Sequence, residues 1–113
     1  MATNGMRPIH PGEVLREDYL KPLGISAGAL ARALHVPASR VSAIVLERRG
    51  VTPDTALRLT RYFGGQLTDA QGWLNLQAAY DLKVAVRSVG GAIELEIQPR
   101  LRLAPLHVGA DQN

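Results

Sequence analysis

The sequence predicts an all-α domain of five short helices that ends in one short β-strand. Apolar residues recur at helical spacing through most of the chain, and capping and breaking residues divide them into five segments. Near the C-terminus, in "AIELEIQPR", the apolar spacing changes to strict alternation, which is typical of a strand. With 113 residues, of which 46% are hydrophobic, the chain suits one domain with a modest core.

The first two helices are predicted from "HPGEVLREDYLKPLG" and from the segment that follows Ser26. Glu13 stands in the first turn of helix one, where a carboxylate interacts favourably with the helix dipole. Pro22 and Gly24 are expected to end that helix. Ser26 is a suitable N-cap for helix two, which is expected to continue to about Leu34.

Helices three and four are predicted on either side of "ERRG". Helix three covers about 38–46, and Gly50 is expected to stop it. Thr52 is a suitable N-cap for helix four, and Pro53 occupies a first-turn position where its missing N–H costs nothing. The pair Gly64–Gly65 is expected to end helix four.

Helix five is predicted over about 69–86, with Gly90–Gly91 as its break, and the strand follows it. An unpaired apolar strand edge is an aggregation hazard, so we expect this strand to pair with its two-fold copy or with a strand of a partner. A continuation of the helix and a disordered tail are the alternatives. Residues 106–113 are expected to be disordered.

Helices two and three form a closely spaced pair joined by "HVPA". Each is too short to be stable alone, but two helices crossed at a tight turn form a helix-turn-helix. Ala31 provides the small residue where such helices meet, and His35 occupies the turn position that needs a positive φ. Pro37 then starts the second helix. A plain αα-hairpin in an ordinary bundle is the alternative.

Charge favours DNA as the partner of this pair. Eleven of the thirteen basic residues in the chain are arginine, which suits bidentate contact with phosphate or guanine. Over 26–49 there are four arginines against the single acid Glu47, so this segment carries a net +3, equal to the excess of the whole chain. If helix three enters a major groove, its outward residues are the candidates for base readout. These are Ala38, Ser39, Arg40, Ser42 and Ala43.

Two further groups of residues are predicted to have functional roles. The N-termini of helices two and four and the arginines between helices three and four suit phosphate contact. The phosphate candidates are Ser26, Ala27, Arg48, Arg49, Thr52 and Thr55. The apolar residues of helix five and of the strand are candidates for a dimer interface or the core. The dimer candidates are Trp73, Leu76, Tyr80, Ile93, Leu95 and Ile97.

Other classes of function find little support in the sequence. The three histidines lack metal-ligand spacing, and neither glycine pair belongs to a phosphate-binding loop. His10 is expected to cap or pack near helix one, and Glu17–Asp18 is expected to be a solvated pair. The chain has no cysteine, no signal-like start and no apolar run of membrane-spanning length. We therefore expect a cytoplasmic protein that is not an enzyme, with no cofactor, no metal and no membrane partner.

Four stretches resemble a known family: "HPGEVLREDYLKPLGIS", "ALARALHVP", "RRGVTPDTALRLTRYFG" and "WLNLQAAYDL". Over residues 8–84 the chain is similar to HigA-type antitoxins of the lambda-repressor-like (XRE) helix-turn-helix superfamily. The resemblance implies a homodimer that binds a palindromic operator and represses its own operon. It also implies neutralisation of a HigB-like toxin, an mRNA endonuclease of RelE type.

Two alternative functions stay open beside this resemblance, and the chain differs from the family in one connector. The alternative functions are a solitary XRE-type regulator without a toxin and an interaction module that has lost DNA binding. Family members usually carry a short "TSPEFW" connector, whereas this chain reads "GQLTDAQGW", with Gly72 before Trp73.

The predicted organisation is a flexible lead-in (1–9), a helix-turn-helix domain with a dimerising fifth helix (10–88), and a strand with a flexible tail (89–113).

Overall fold

The computed structural model describes residues 7–100, and all of its regular structure is helical. Helix α1 spans 11–23 and is π-helical over its middle part, Leu15–Leu20. The helices that follow are α2 (Ala27–Leu34), α3 (Ala38–Val45), α4 (Pro53–Tyr62) and α5 (Ala70–Glu96), and a 3-10 turn (Leu67–Asp69) joins α4 to α5. The predicted all-α class with five helices is therefore confirmed.

The predicted helix boundaries are confirmed where a capping residue marks them. The Ser26 hydroxyl accepts the Ala29 N–H at 3.0 Å and starts α2, and the Thr52 hydroxyl starts α4. Gly24 ends α1 in the left-handed conformation, with φ at 66°. His35 ends α2 in the same conformation, with φ at 60°, as the helix-turn-helix pattern predicts.

The turn after α3 differs from the prediction. Leu46 is the C-cap of α3, and Glu47 takes the left-handed conformation, with φ at 62°. The prediction that Gly50 stops this helix is wrong. Gly50 lies against α5 instead, and a Cβ there would lie 2.8 Å from the side-chain oxygen of Gln77, so that side chain would have to shift.

The predicted C-terminal strand is also wrong. Helix α5 continues through Gly90–Gly91 to Glu96, so the helical alternative is the one that the chain adopts. A glycine costs a helix only about 1 kcal/mol relative to alanine and removes no backbone hydrogen bond. The alternating pattern misled the prediction because Ile93 and Ile97, four residues apart, also share one helical face. The predicted boundary at 88–89 lies within this helix, and most of the predicted lead-in (1–6) and the predicted disordered tail (106–113) lie outside the described residues.

The hydrophobic core lies between α1, α2, α3, α4 and the first turns of α5. Its fully buried residues include Leu15 from α1, Leu30 from α2, Ile44 from α3 and Leu59 from α4. From α5, only Ala70 and Trp73 are buried among the residues described. The later part of α5 therefore extends beyond the core and exposes large apolar side chains.

Candidate nucleic-acid interface

Helices α2 and α3 form the predicted helix-turn-helix. Ala31 is buried at their contact together with Leu34, Val41 and Ile44. The turn is closed by backbone hydrogen bonds, in which the Val36 N–H donates to the Ala31 carbonyl at 3.1 Å. The short α3 is thus stabilised by tertiary packing on one face, which leaves its opposite face free.

Helix α1 fixes the position of α3 from behind. The backbone of Gly12 lies against the Ile44 carbonyl, with no room for a side chain between them. The Arg16 guanidinium donates a hydrogen bond to the Val45 carbonyl at the end of α3, and it also lies 3.4 Å from the Glu47 carboxylate. These contacts fix the distance between α1 and α3 and the position of the C-terminal end of α3.

The five residues predicted for base readout lie on or near the outer side of α3. Ala38 and Ser39 are exposed, and Arg40, Ser42 and Ala43 are half-buried. Helical spacing puts Ser39 and Ala43 on the side opposite the buried Val41 and Ile44. Because these positions are the predicted DNA contacts, we call the outer face of α3, together with the N-termini of α2 and α4 and the loop that carries Arg48 and Arg49, the DNA-facing surface.

Arg40 is held by a carboxylate from the next helix. Its guanidinium donates to Asp54 Oδ2 at 2.8 Å, and Arg58 Nε donates to the same oxygen at 2.9 Å. These hydrogen bonds, from Arg58 first and then from Arg40, lower the pKa of Asp54, because both stabilise its ionised form. Arg58 also donates to the Leu34 carbonyl at 2.8 Å and so caps the C-terminal end of α2.

Most of the phosphate candidates lie at the edges of the DNA-facing surface. Ser26, Arg48, Arg49 and Thr52 are exposed, and Ala27 is half-buried. Thr55 is different, because it is only 2% exposed and its N–H is already bonded to the Thr52 hydroxyl. The assignment of Thr55 as a phosphate contact is therefore wrong: the residue stabilises the start of α4.

The dimer candidates fall into two groups. Trp73 is buried and packs 5.4 Å from the Tyr19 ring, Leu76 packs against the core, and the half-buried Tyr80 has its ring 4.8 Å from the His10 ring. These three residues make contacts within their own chain. The other three, which were predicted on a strand, are exposed at the end of α5 and are 46%, 82% and 63% accessible, in the order Ile93, Leu95 and Ile97.

His10 has the structural role that the sequence predicts. It is buried, and its Nδ1 accepts the Gly12 N–H at 2.8 Å as the N-cap of α1. Burial lowers the pKa of His10, so the neutral form that can accept this hydrogen bond is favoured. Across residues 7–100 no three acidic, histidine or cysteine side chains are grouped as metal ligands.

The sequence interpretation missed three residues that position this surface, namely Arg16, Asp54 and Arg58. The spacing of Asp54 and Arg58, four residues apart on one helix, indicates an ion pair. Sequence alone gives no sign that Arg40 and Arg16 make contacts across helices. Within the described range, no helix has the length and apolar character needed to cross a bilayer.

The crossed α2–α3 pair, its left-handed turn and its exposed basic edge define a lambda-repressor-like helix-turn-helix protein. The helix-turn-helix family model matches residues 17–69 of the chain. The chain belongs to the HigA-type antitoxin family of that superfamily, as its relatives and structural neighbours show.

Two of the three comparisons that follow are with HigA antitoxins. The chain is 68% identical over 82 residues to virulence-associated protein I of Dichelobacter nodosus, covering 73% of each chain. It is 38% identical over 77 residues to antitoxin HigA-1 of Vibrio cholerae, covering 67% of this chain and 69% of that one. The structure of Pseudomonas aeruginosa antitoxin HigA with the higBA promoter matches with a TM-score of 0.78 and 52% identity, over 84% of this chain and all of the other.

Proposed function

We propose that this chain is an antitoxin that binds a palindromic operator as a homodimer, represses its own operon and neutralises a HigB-like toxin of RelE type. The observation that carries the proposal is the DNA-facing surface, where small residues of α3 lie beside exposed arginines. The Pseudomonas aeruginosa relative, 52% identical, was solved with promoter DNA, which supports the same partner here.

The shape and charge of this surface support DNA binding. Ser39 and Ala43 are small enough to let α3 approach base edges closely. The methyl group of Ala43 can also make an apolar contact with the methyl group of thymine. Arg48, Arg49 and the N-terminus of α4 provide positive groups at the edge, where backbone phosphates lie in helix-turn-helix complexes. The family to which the chain belongs consists of regulators and antitoxins, not of enzymes.

The homodimer is proposed to form through the exposed end of α5. Leu82, Val86, Val89 and Ile93 are spaced by four, three and four residues, and all four are exposed. This spacing keeps apolar side chains on one helical face and is typical of helices that pair along a seam. Self-association buries the face in a two-fold dimer, which would present two α3 helices about 34 Å apart to adjacent major grooves.

The function is tested by a gel shift of the purified protein on the DNA upstream of its own gene, with and without the product of the adjacent gene. An autoregulating antitoxin predicts specific binding that the neighbour modulates, and rescue of growth when both proteins are expressed. Specific binding without any effect of the neighbour favours a solitary regulator. Absence of specific binding contradicts the proposal.

A further inference from the structure

We propose that Asp54 determines DNA specificity by holding Arg40 on the protein until a correct base contact replaces it. The inference rests on the proposed DNA-binding function and goes beyond it, because it assigns a role to an acidic residue at the edge of a surface that must approach phosphates.

Asp54 lies in the first turn of α4, at a helix N-terminus that would otherwise suit an anion. Its side chain is 56% exposed, so an approaching phosphate meets its negative charge. A carboxylate here opposes DNA binding unless its charge is compensated. Arg40 and Arg58 compensate it, at 2.8 Å and 2.9 Å from the same oxygen.

The two arginines are not equivalent. Arg58 is also bonded to the Leu34 carbonyl and lies near the His35 carbonyl, so three acceptors hold it in place. Within residues 7–100, Asp54 is the one acceptor of the Arg40 side chain, and this bond uses Arg40 Nη1. Arg40 is therefore the partner that can exchange Asp54 for DNA.

This exchange separates correct from incorrect sequences. A guanine edge offers two acceptors to arginine and compensates the loss of the Asp54 contact. Where no guanine is present, Arg40 stays paired with Asp54 and makes no contact with the phosphate backbone. The energy of a nonspecific complex comes mainly from phosphate contacts, so Asp54, which withholds Arg40 from phosphate, weakens that complex more than the specific one.

The test compares binding to the upstream duplex and to a scrambled duplex of equal length and composition. Asp54→Asn keeps the shape of the side chain and removes its charge. It should tighten nonspecific binding about tenfold at low salt, steepen the nonspecific salt dependence by about 0.9, and leave specific binding unchanged or weaker. The specificity ratio, which is the affinity for the upstream duplex divided by the affinity for the scrambled duplex, should therefore fall about tenfold.

Two controls separate this role from simple charge addition. Asp18→Asn removes one exposed carboxylate from α1, outside the DNA-facing surface, and should leave the specificity ratio unchanged. The second control uses Arg40→Gln. The double variant Arg40→Gln with Asp54→Asn should have the same specificity ratio as the single variant Arg40→Gln. A thermal melt checks that each variant is folded, and Asp54→Ser, another residue favoured near helix N-termini, is the second variant.

Equal tightening on both duplexes would overturn the inference, because it would show a general charge effect. An equal loss of specificity in the Arg40→Gln background would also overturn it, because Asp54 would then act without Arg40. A wild-type protein that does not distinguish the two duplexes contradicts the proposed function and the inference together, whereas a discriminating wild type with an unchanged Asp54→Asn ratio contradicts the inference alone.

Discussion

The α-carbon of Gly12 lies directly against the carbonyl group of Ile44, and this contact sets how closely α1 approaches the predicted DNA-reading helix. A methyl group on Gly12 would lie 2.8 Å from the Ile44 carbonyl carbon and closer still to its oxygen. Both partners are backbone atoms of packed helices, so neither can move aside without shifting a whole element.

Gly12→Ala should therefore destabilise the fold, by about 2 kcal/mol or more, because forcing atoms into a packed contact strains side chains and backbone. Chemical denaturation measures the change. Gly72→Ala is the matched control: nothing lies within 4 Å of a Cβ built there, in the first turns of α5, and alanine is the better helix former. Equal stability of the two variants would show that α1 and α3 are not in close contact.

The His10 cap makes stability depend on pH. Burial lowers the pKa of His10 below the 6.5 of the unfolded chain, and protonated Nδ1 cannot accept the Gly12 N–H. Between the two pKa values the unfolded chain binds more protons, so stability is complete above about pH 6.5 and falls as the pH drops towards the folded value.

His10→Asn tests this effect, because asparagine can also cap a helix but does not titrate in this range. Thermal melts between pH 8 and pH 5 should show a flatter profile for the variant than for the wild type. Parallel profiles would indicate that other groups cause the pH dependence.

The exposed face of α5 gives a prediction about assembly. Leu82→Asp with Val89→Asp places two charges on the proposed dimer seam, and burying unpaired charges is strongly unfavourable. Sedimentation should then give a monomer of 12.2 kDa. Val84→Asp, which alters an exposed residue on the opposite side of the helix, should remain a dimer. If the double variant remains dimeric, the seam lies elsewhere.

Gln77 connects α5 to the loop before α4. Its side-chain oxygen accepts the backbone N–H of Val51 at 2.8 Å, and this hydrogen bond is partly buried. Gln77→Leu should destabilise the fold by about 1–3 kcal/mol, since an unpaired buried amide costs about that much. Gln71→Leu, on an exposed position of the same helix, should cost little. Similar losses in both variants would mean that the Val51 contact contributes nothing.

Local patterns in the sequence were sufficient to predict the helix-turn-helix. Capping at Ser26 and Thr52 and the left-handed turn at His35 depend on neighbouring residues, so sequence reveals them. The end of α5 was not predictable in this way, because alternation over 93–97 fits a strand and a helical face equally well. Contacts across helices, such as those of Arg16 and Asp54, depend on tertiary geometry that spacing does not encode.

Sequence-specific binding by the DNA-facing surface can be measured in one titration. Fluorescence anisotropy on the upstream and scrambled duplexes, at several salt concentrations, should give a preference of about 10³ or more for the upstream duplex. Replacing Arg48 and Arg49 with alanine should weaken binding to both duplexes and reduce the salt slope by about 2. Equal affinity of the wild type for the two duplexes would show that the surface does not recognise a specific sequence, and an unchanged affinity and slope in the double variant would show that Arg48 and Arg49 do not contact phosphate.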